Sequence, residues 1–197
     1  VIKSLYALPL IGCLFFTSCT TTPLIPESKN TAPQLKIPLE HWTLQGAVAA
    51  RYEQRALTAS IYWAQQHKEQ YQLRLIGALG SNSVWITKQG NQVTYRDGNK
   101  QRTTTNPSQC LATETGLHLP VEYLTYWIQG LPAQAPIEAT EYDEHHHRTL
   151  LKQSGYTIHY LHYTTVNGIA LPDKITVTKH QFMMKLVIKK WDLNLKA

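Results

Sequence analysis

The stretch WTLQGAVAARYEQRALTASIYWAQQHKEQYQLRLI, residues 42–76, carries the fold in its periodicity. Leu44, Gly46, Val48 and Ala50 alternate with Thr43, Gln45, Ala47 and Ala49, and Ala59, Ile61 and Trp63 alternate with Thr58, Ser60 and Tyr62. Tyr71, Leu73 and Leu75 then stand opposite Gln72, Arg74 and Ile76. Successive side chains of a strand point to opposite faces, so period two predicts half-buried strands, and the polar break Gln66-His67-Lys68-Glu69 reads as a turn. Three antiparallel strands joined by short loops result.

The same pattern continues toward the C-terminus. Val84 and Ile86 precede the turn Gln89-Gly90-Asn91, and Val93 and Tyr95 precede Asp97-Gly98-Asn99, which carries the meander to about residue 104. The middle differs. Asn106-Pro107-Ser108 predicts a helix start, with Leu111 as its main apolar residue and Gly116 as its stop. Pro120 opens VEYLTYWIQG, in which Val121, Leu124, Trp127 and Ile128 recur at helical spacing. Strand signals return at Leu150-Leu151, at Tyr156, Ile158 and Tyr160, at Ile175 and Val177, and at Phe182, Met184, Leu186 and Ile188, ending near Trp191.

The pattern therefore predicts a mainly β fold: about 9–11 short antiparallel strands with two short helices in the middle, curled into an open barrel. A flat sheet of that size would leave long edges exposed, and the inserted helices must either pack on the sheet or cover an opening in it.

Upstream of Trp42 the chain is of two kinds. Residues 5–16, LYALPLIGCLFF, form an apolar run after Lys3 and before Thr17-Ser18-Cys19, the order of a signal peptide over residues 1–18. The run is too short to cross a hydrocarbon core of about 30 Å, which takes about 20 apolar residues. Phe16-Thr17-Ser18-Cys19 resembles the bacterial lipobox, in which the Cys is acylated and heads the mature chain. Leu10-Ile11-Gly12-Cys13 is the alternative, but processing at Cys13 would leave an h-region of only about seven to nine residues. Cys19 is accordingly the expected lipidation site. Residues 20–41, with four prolines, predict an extended tether, so that 19–41 is a lipidated linker and 42–197 one domain.

Charge and cysteines add little chemistry. The formal net charge is +6; removing residues 1–18 takes away only Lys3, leaving 18 Lys and Arg against 13 Asp and Glu, or +5. The bases are scattered and form no nucleic-acid stripe. With Cys13 in the leader and Cys19 acylated, Cys110 alone remains, which permits no intramolecular disulfide and reads as a small buried apolar residue.

The sequence holds no G-x-S-x-G, G-x-G-x-x-G, P-loop or H-E-x-x-H, so the common nucleophile, dinucleotide, nucleotide and zincin signatures are absent, and neither enzyme activity nor a cofactor is expected. Glu144 followed by His145-His146-His147 is the best metal candidate, but adjacent histidines of a strand face alternately, and no second His pair lies at ligand spacing. A solvated hairpin turn is the expected reading, with no metal; His159 and His162, an odd number apart, are expected to face opposite ways. Trp42, Trp63, Tyr71, Trp85, Tyr95, Trp127, Tyr160 and Trp191 are core residues by default, though in an open barrel inward aromatics can instead line a hollow. Gly77-Ala78-Leu79-Gly80 stands apart from ordinary turns, because it places a Leu between glycines where polar residues are usual.

The lipobox, Leu73-Arg74-Leu75-Ile76-Gly77-Ala78-Leu79-Gly80, Tyr95-Arg96-Asp97-Gly98, Thr115-Gly116-Leu117-His118-Leu119-Pro120-Val121, Tyr126-Trp127-Ile128-Gln129-Gly130-Leu131-Pro132 and Leu171-Pro172-Asp173-Lys174-Ile175 together resemble the outer-membrane lipoprotein receptor family LolB, from about Trp42 to Trp191. The resemblance implies a half-open barrel with a helical lid and an apolar cavity that receives acyl chains of lipoproteins from the periplasmic carrier LolA and places them in the outer membrane. It implies that the protein is anchored by lipid on Cys19 at the periplasmic face of that membrane, acts as a monomer and has no nucleic-acid partner. It carries the family's protruding leucine onto Leu79, flanked by Gly77, Ala78 and Gly80, as the membrane-inserting loop. The residues expected to line the cavity or form its lid are Trp63, Leu73, Leu75, Trp127, Ile128 and Leu131. The Pro-rich segment 33–38 argues against the family's first helix.

Overall fold

Alternation of apolar and polar side chains sets the strands, and where it slips phase the sheet has a bulge. The computed structural model describes residues 32–77, 83–98, 100–115 and 120–193. Among them, in chain order, are β1 (Trp42–Tyr52), β2 (Arg55–His67), β3 (Gln70–Gly77), β4 (Ser83–Gln89), β5 (Gln92–Asp97), β6 (Lys100–Thr104), α1 (Pro107–Thr115), α2 (Val121–Trp127), β7 (Ile137–Tyr142), β8 (Arg148–Gln153), β9 (Tyr156–Val166), β10 (Ile169–Lys179) and β11 (Phe182–Asp192). No helix among the described residues is long and apolar enough to cross a membrane, and none precedes β1.

The strands form one antiparallel sheet of 11, ordered β6-β5-β4-β3-β2-β1-β11-β10-β9-β8-β7. The pairing of β1 with β11 joins two meanders back to back, and β6 and β7 remain as separate edges, the open form that the strand pattern predicts and the half-open barrel that the family resemblance implies. In β11, Phe182, Met184, Leu186 and Ile188 are buried, and then the phase flips so that Trp191 is buried next. The flip has a cause: Gln45 pairs with Lys190 and Gly46 with Ile188, so Lys189 is an extra residue, and a bulge reverses which parity faces the core. The two backbones run so close there that a Cβ on Gly46 would lie 2.1 Å from the Val187 carbonyl oxygen.

A second slip corrects the expectation for the histidines of β9. Lys174 pairs with His162 and Ile175 with Tyr160, so Leu161 is skipped. His159 and His162 are consequently both exposed, rather than on opposite faces.

The chain passes from one sheet edge to the other through the helices. Asn106 caps α1, its Oδ1 accepting from the Gln109 amide at 2.8 Å, with Pro107 as the first helical residue, whose missing amide hydrogen costs nothing there. Leu111 of α1 and Val121, Leu124 and Trp127 of α2 belong to the same buried cluster as the strand residues Trp42, Leu44, Trp63, Ile86 and Leu151. The helices thus turn their apolar sides onto the inner face of the sheet.

Residues 32–41, read from their prolines as part of a free tether, lie along the domain instead. The Ala170 amide donates to the Pro33 carbonyl at 3.0 Å, and Gln34 forms a parallel bridge with Ala170. The Gln34 side chain donates to the Gly130 carbonyl at 3.0 Å and to the Tyr163 hydroxyl at 3.1 Å, and accepts from the Arg148 amide at 3.1 Å. Leu35 and Leu39 pack on the core. Proline forbids a helix here but not an extended strap, and two leucines with a glutamine give that strap something to bury. Gly130, at φ +77°, makes the crossing possible: a Cβ there would come within 2.6 Å of Gln34 Nε2.

Candidate functional site

Trp63 on β2 pairs with Leu73 on β3, and Ile61 with Leu75, so the first three residues expected to line a cavity do share the inner face. Trp127 ends α2, and Ile128 follows it. Trp63, Leu73, Leu75, Trp127 and Ile128 lie in one core cluster; Leu131 is buried too, but outside it. All six are at most 5% exposed. Trp63 packs 5.6 Å from both Trp42 and Tyr71, centroid to centroid, and Trp42 lies 5.5 Å from Trp191. The interior they make is tightly populated by rings.

Several polar atoms of those rings lack a partner. Trp42 Nε1, Trp63 Nε1, Tyr71 Oη and Tyr160 Oη are buried with no hydrogen bond among the described residues, an arrangement that costs about 1–3 kcal/mol for each group. Burial drives the Tyr71 phenol above its ordinary range, and the Glu122 and Glu69 carboxylates push the same way. Tyr160 is likewise raised, first by burial. The apolar interior therefore contains hydrogen-bond donors in the neutral state.

Open space lies beside the helices and at turns between strands. A cleft of about 690 Å³ is lined by Asn106, Ser108, Gln109, Glu122, Tyr123 and Tyr156, among others, and a second of about 470 Å³ by Tyr52, Phe182, Lys179 and again Tyr156. None of the six expected lining residues borders either cleft. Tyr156 borders both, with its ring 5.3 Å from Trp127 and capped by Lys179 Nζ at 4.4 Å from the centroid.

Two groups of polar contacts fasten the helices. Ser108 Oγ of α1 accepts from the Val121 amide of α2 at 2.8 Å and donates to the Glu122 carboxylate. Gln153 on β8, wholly buried, accepts at Oε1 from Trp127 Nε1 and from the Ala133 amide, both at 2.9 Å, and donates through Nε2 to the carbonyls of Ala133 at 3.0 Å and Ala135 at 2.7 Å. Arg148, also buried, donates to Thr140 Oγ1 at 3.0 Å, to the Tyr142 hydroxyl at 2.9 Å and to the Gly130 carbonyl. The Trp127–Pro132 block is thus held from below by Gln153 and Arg148, neither of which the motif reading singled out.

Of the proposed loop, Gly77 closes β3 and Ser83 opens β4, with Ile76 paired to Ser83. Ala78, Leu79 and Gly80 lie outside the described residues, as does Cys19. On β4, Trp85 sits between two guanidinium groups, Arg74 at 4.4 Å and Arg96 at 5.6 Å from its ring centroid. This row, Arg74-Trp85-Arg96, follows from direct cross-strand pairing.

Cys110 is buried on α1, and burial raises its thiol, so the reactive thiolate is disfavoured. The histidine run does form the turn before β8, but only partly in solvent. His147 is buried, stacks on Tyr163 at 4.9 Å, and its Nε2 lies 2.9 Å from the Ala32 carbonyl oxygen. The strap over this turn, invisible in the local sequence, is what covers it.

Known proteins bear on this geometry. A relative from Halorhodospira halophila named outer-membrane lipoprotein LolB is 31% identical over 189 residues, covering 92% of each chain. Another with that name, from Ectopseudomonas mendocina, is 30% identical over 198 residues, covering 97% of this chain and 94% of its own. Among solved structures, a LolA superfamily protein from Nitrosomonas europaea superposes with a TM-score of 0.50 at 10% identity, over 85% of this chain and 91% of that one. A protein of the DUF1329 family from Desulfovibrio piger gives 0.54 at 7% identity, over 81% and 88%. Both likenesses concern the fold alone. The family model described as outer membrane lipoprotein LolB matches residues 40–191, from the end of the strap almost to the end of β11. With its half-open sheet and helical lid, this chain belongs to the LolB family of outer membrane lipoproteins.

Proposed function

We propose that the protein is an outer-membrane receptor that takes lipoproteins from a LolA-type periplasmic carrier, shelters their acyl chains beneath α1 and α2, and releases them into outer-membrane lipid. It is anchored through lipid on Cys19, works as a monomer, and uses Leu79, presented by Gly77, Ala78 and Gly80, to enter the bilayer. The observation that carries this reading is the helical segment between two unpaired sheet edges, apolar beneath and fastened by a small set of polar contacts.

Movement of an acyl chain between two apolar shelters needs no nucleotide, since each buried CH₂ is worth about 0.8 kcal/mol and only the difference in burial drives the transfer. In the closed arrangement Trp63, Leu73, Leu75, Trp127, Ile128 and Leu131 are all buried by the chain's own side chains. Accepting a chain means lifting α2 out of the core cluster it shares with Trp63 and Leu73, so that hydrocarbon replaces side chain on the inner face. Unpaired donors on Trp42, Trp63 and Tyr71 then have ester and amide carbonyls to meet.

A second reading is favoured by the filled interior: a structural lipoprotein whose packed barrel binds another envelope protein. Titration with a fluorescent fatty-acyl probe separates the two. Saturable uptake, competed by acylated peptide, supports the receptor; its absence, with the fold intact, supports the scaffold.

A further inference from the structure

We propose that Glu40, His41 and His67 form a binding site for a divalent transition-metal ion, with zinc the best match. One ligand atom from each residue lies within 4.8 Å of the others. His67 Nδ1 is 3.9 Å from Glu40 Oε2, and the two imidazole rings are edge to face with centroids 4.7 Å apart. Two imidazoles and a carboxylate are borderline ligands that suit zinc, copper or nickel better than calcium or magnesium.

The site is assembled from distant parts of the sequence. The β1–β2 register sets Trp42 against Gln65, and one further step of two residues brings Glu40 beside His67. Gln66 is skipped in the pairing of β2 with β3, a bulge that turns His67 away from the regular strand face. His41 and Glu40 belong to the strap, where strand geometry has not begun, so neighbours in sequence can approach the same point.

The backbone on each side is already fixed. The Leu39 amide donates to Gln129 Oε1 at 2.8 Å, Trp42 is buried, and Gln65 Nε2 donates to the His67 carbonyl at 2.5 Å. Only the three side chains need to adjust. Zinc–ligand bonds of about 2.0–2.1 Å in a tetrahedron place ligand atoms about 3.4 Å apart, so these groups must close by about 1 Å, which side-chain rotation supplies at an exposed site. The ion would keep a water in its fourth position. It would also cross-link the strap to the end of β2, making the junction between anchor and barrel responsive to metal.

The test uses the full, untagged chain in detergent, stripped with chelator and titrated with zinc chloride by calorimetry, and with cobalt chloride by visible absorption. One saturable site per chain is expected, with cobalt bands of a four-coordinate nitrogen and oxygen set. His41→Ala and His67→Ala should each weaken binding by about tenfold or more, Glu40→Gln should weaken it less, and His145→Ala, on the turn before β8 and not one of the three ligands, should leave it unchanged. Unchanged melting temperatures without metal establish that the variants fold. Absence of saturable binding in the micromolar range, or binding indifferent to either His41→Ala or His67→Ala, overturns the proposal.

Discussion

Gln153 and Trp127 form a buried polar joint: the indole Nε1 of the helix donates to the amide oxygen of the strand at 2.9 Å, and the Gln153 amide nitrogen holds the carbonyls of Ala133 and Ala135. One side chain therefore fixes the end of α2 and the segment that follows it. Gln153→Ala is expected to lower stability by about 3 kcal/mol or more, since it strands several buried groups without partners. Urea unfolding should show a lower midpoint with the slope unchanged, whereas a shift below about 0.5 kcal/mol would mean the joint is dispensable.

The contact between the two helices is of another kind. Ser108, the Val121 amide and Glu122 meet at the surface, so their loss should cost less than about 1 kcal/mol. If α1 and α2 open for acyl chains, Ser108→Ala combined with Glu122→Gln should accelerate uptake of a fluorescent acyl probe in stopped-flow measurements. An unchanged association rate would separate this contact from opening.

Leu79→Glu tests the loop. The variant is expected to melt like the parent and to accept lipoprotein from the carrier, but to fail in delivering it to liposomes, because a carboxylate cannot enter hydrocarbon cheaply. Undiminished delivery in a reconstituted assay would remove Leu79 from the mechanism.

Gly46 has a structural role that a substitution can expose. A Cβ 2.1 Å from the Val187 carbonyl oxygen cannot be accommodated without separating β1 from β11. Gly46→Ala should therefore destabilise by about 3 kcal/mol or more in thermal or chemical unfolding. Gly90→Ala, where nothing lies within 4 Å, should cost less, from its φ of +58° alone.

Tyr95 predicts behaviour in alkali. Burial, then the charges of Asp97 and Glu114, push its phenol from the ordinary 10 up to about 12. The neutral form is thus favoured in the fold, and its contribution is complete below pH 10 and disappears as pH rises through about 12. Tyr95→Phe should flatten the loss of stability across that window, measured as denaturation midpoint against pH, and a curve parallel to the parent's would contradict it.

Much of the fold was legible because period two is a local signal. Residues 42–76, the turns at Gly90 and Gly98, and the Asn106-Pro107 helix start each declare themselves within a few positions. The slips at Lys189 and Leu161 do not, since a bulge depends on the partner strand. The strap was misjudged for a similar reason: Pro33 and Pro38 reveal an extended backbone, but not that Gln34 finds Gly130, Tyr163 and Arg148 about a hundred residues away. Gln153 did leave a trace, as a polar residue in phase with buried Leu151. Glu40, His41 and His67 left none, because metal ligands gathered across a strand pair have no linear spacing to recognise.

The seam between β1 and β11 makes the first strand of the barrel wait for the last. Until Phe182–Asp192 exists, one long border of Trp42–Tyr52 has no neighbour, and the two meanders remain separate ribbons with sticky flanks. A chain built this way cannot complete its centre during synthesis, a delay that suits a polypeptide which must be threaded through a membrane before it closes.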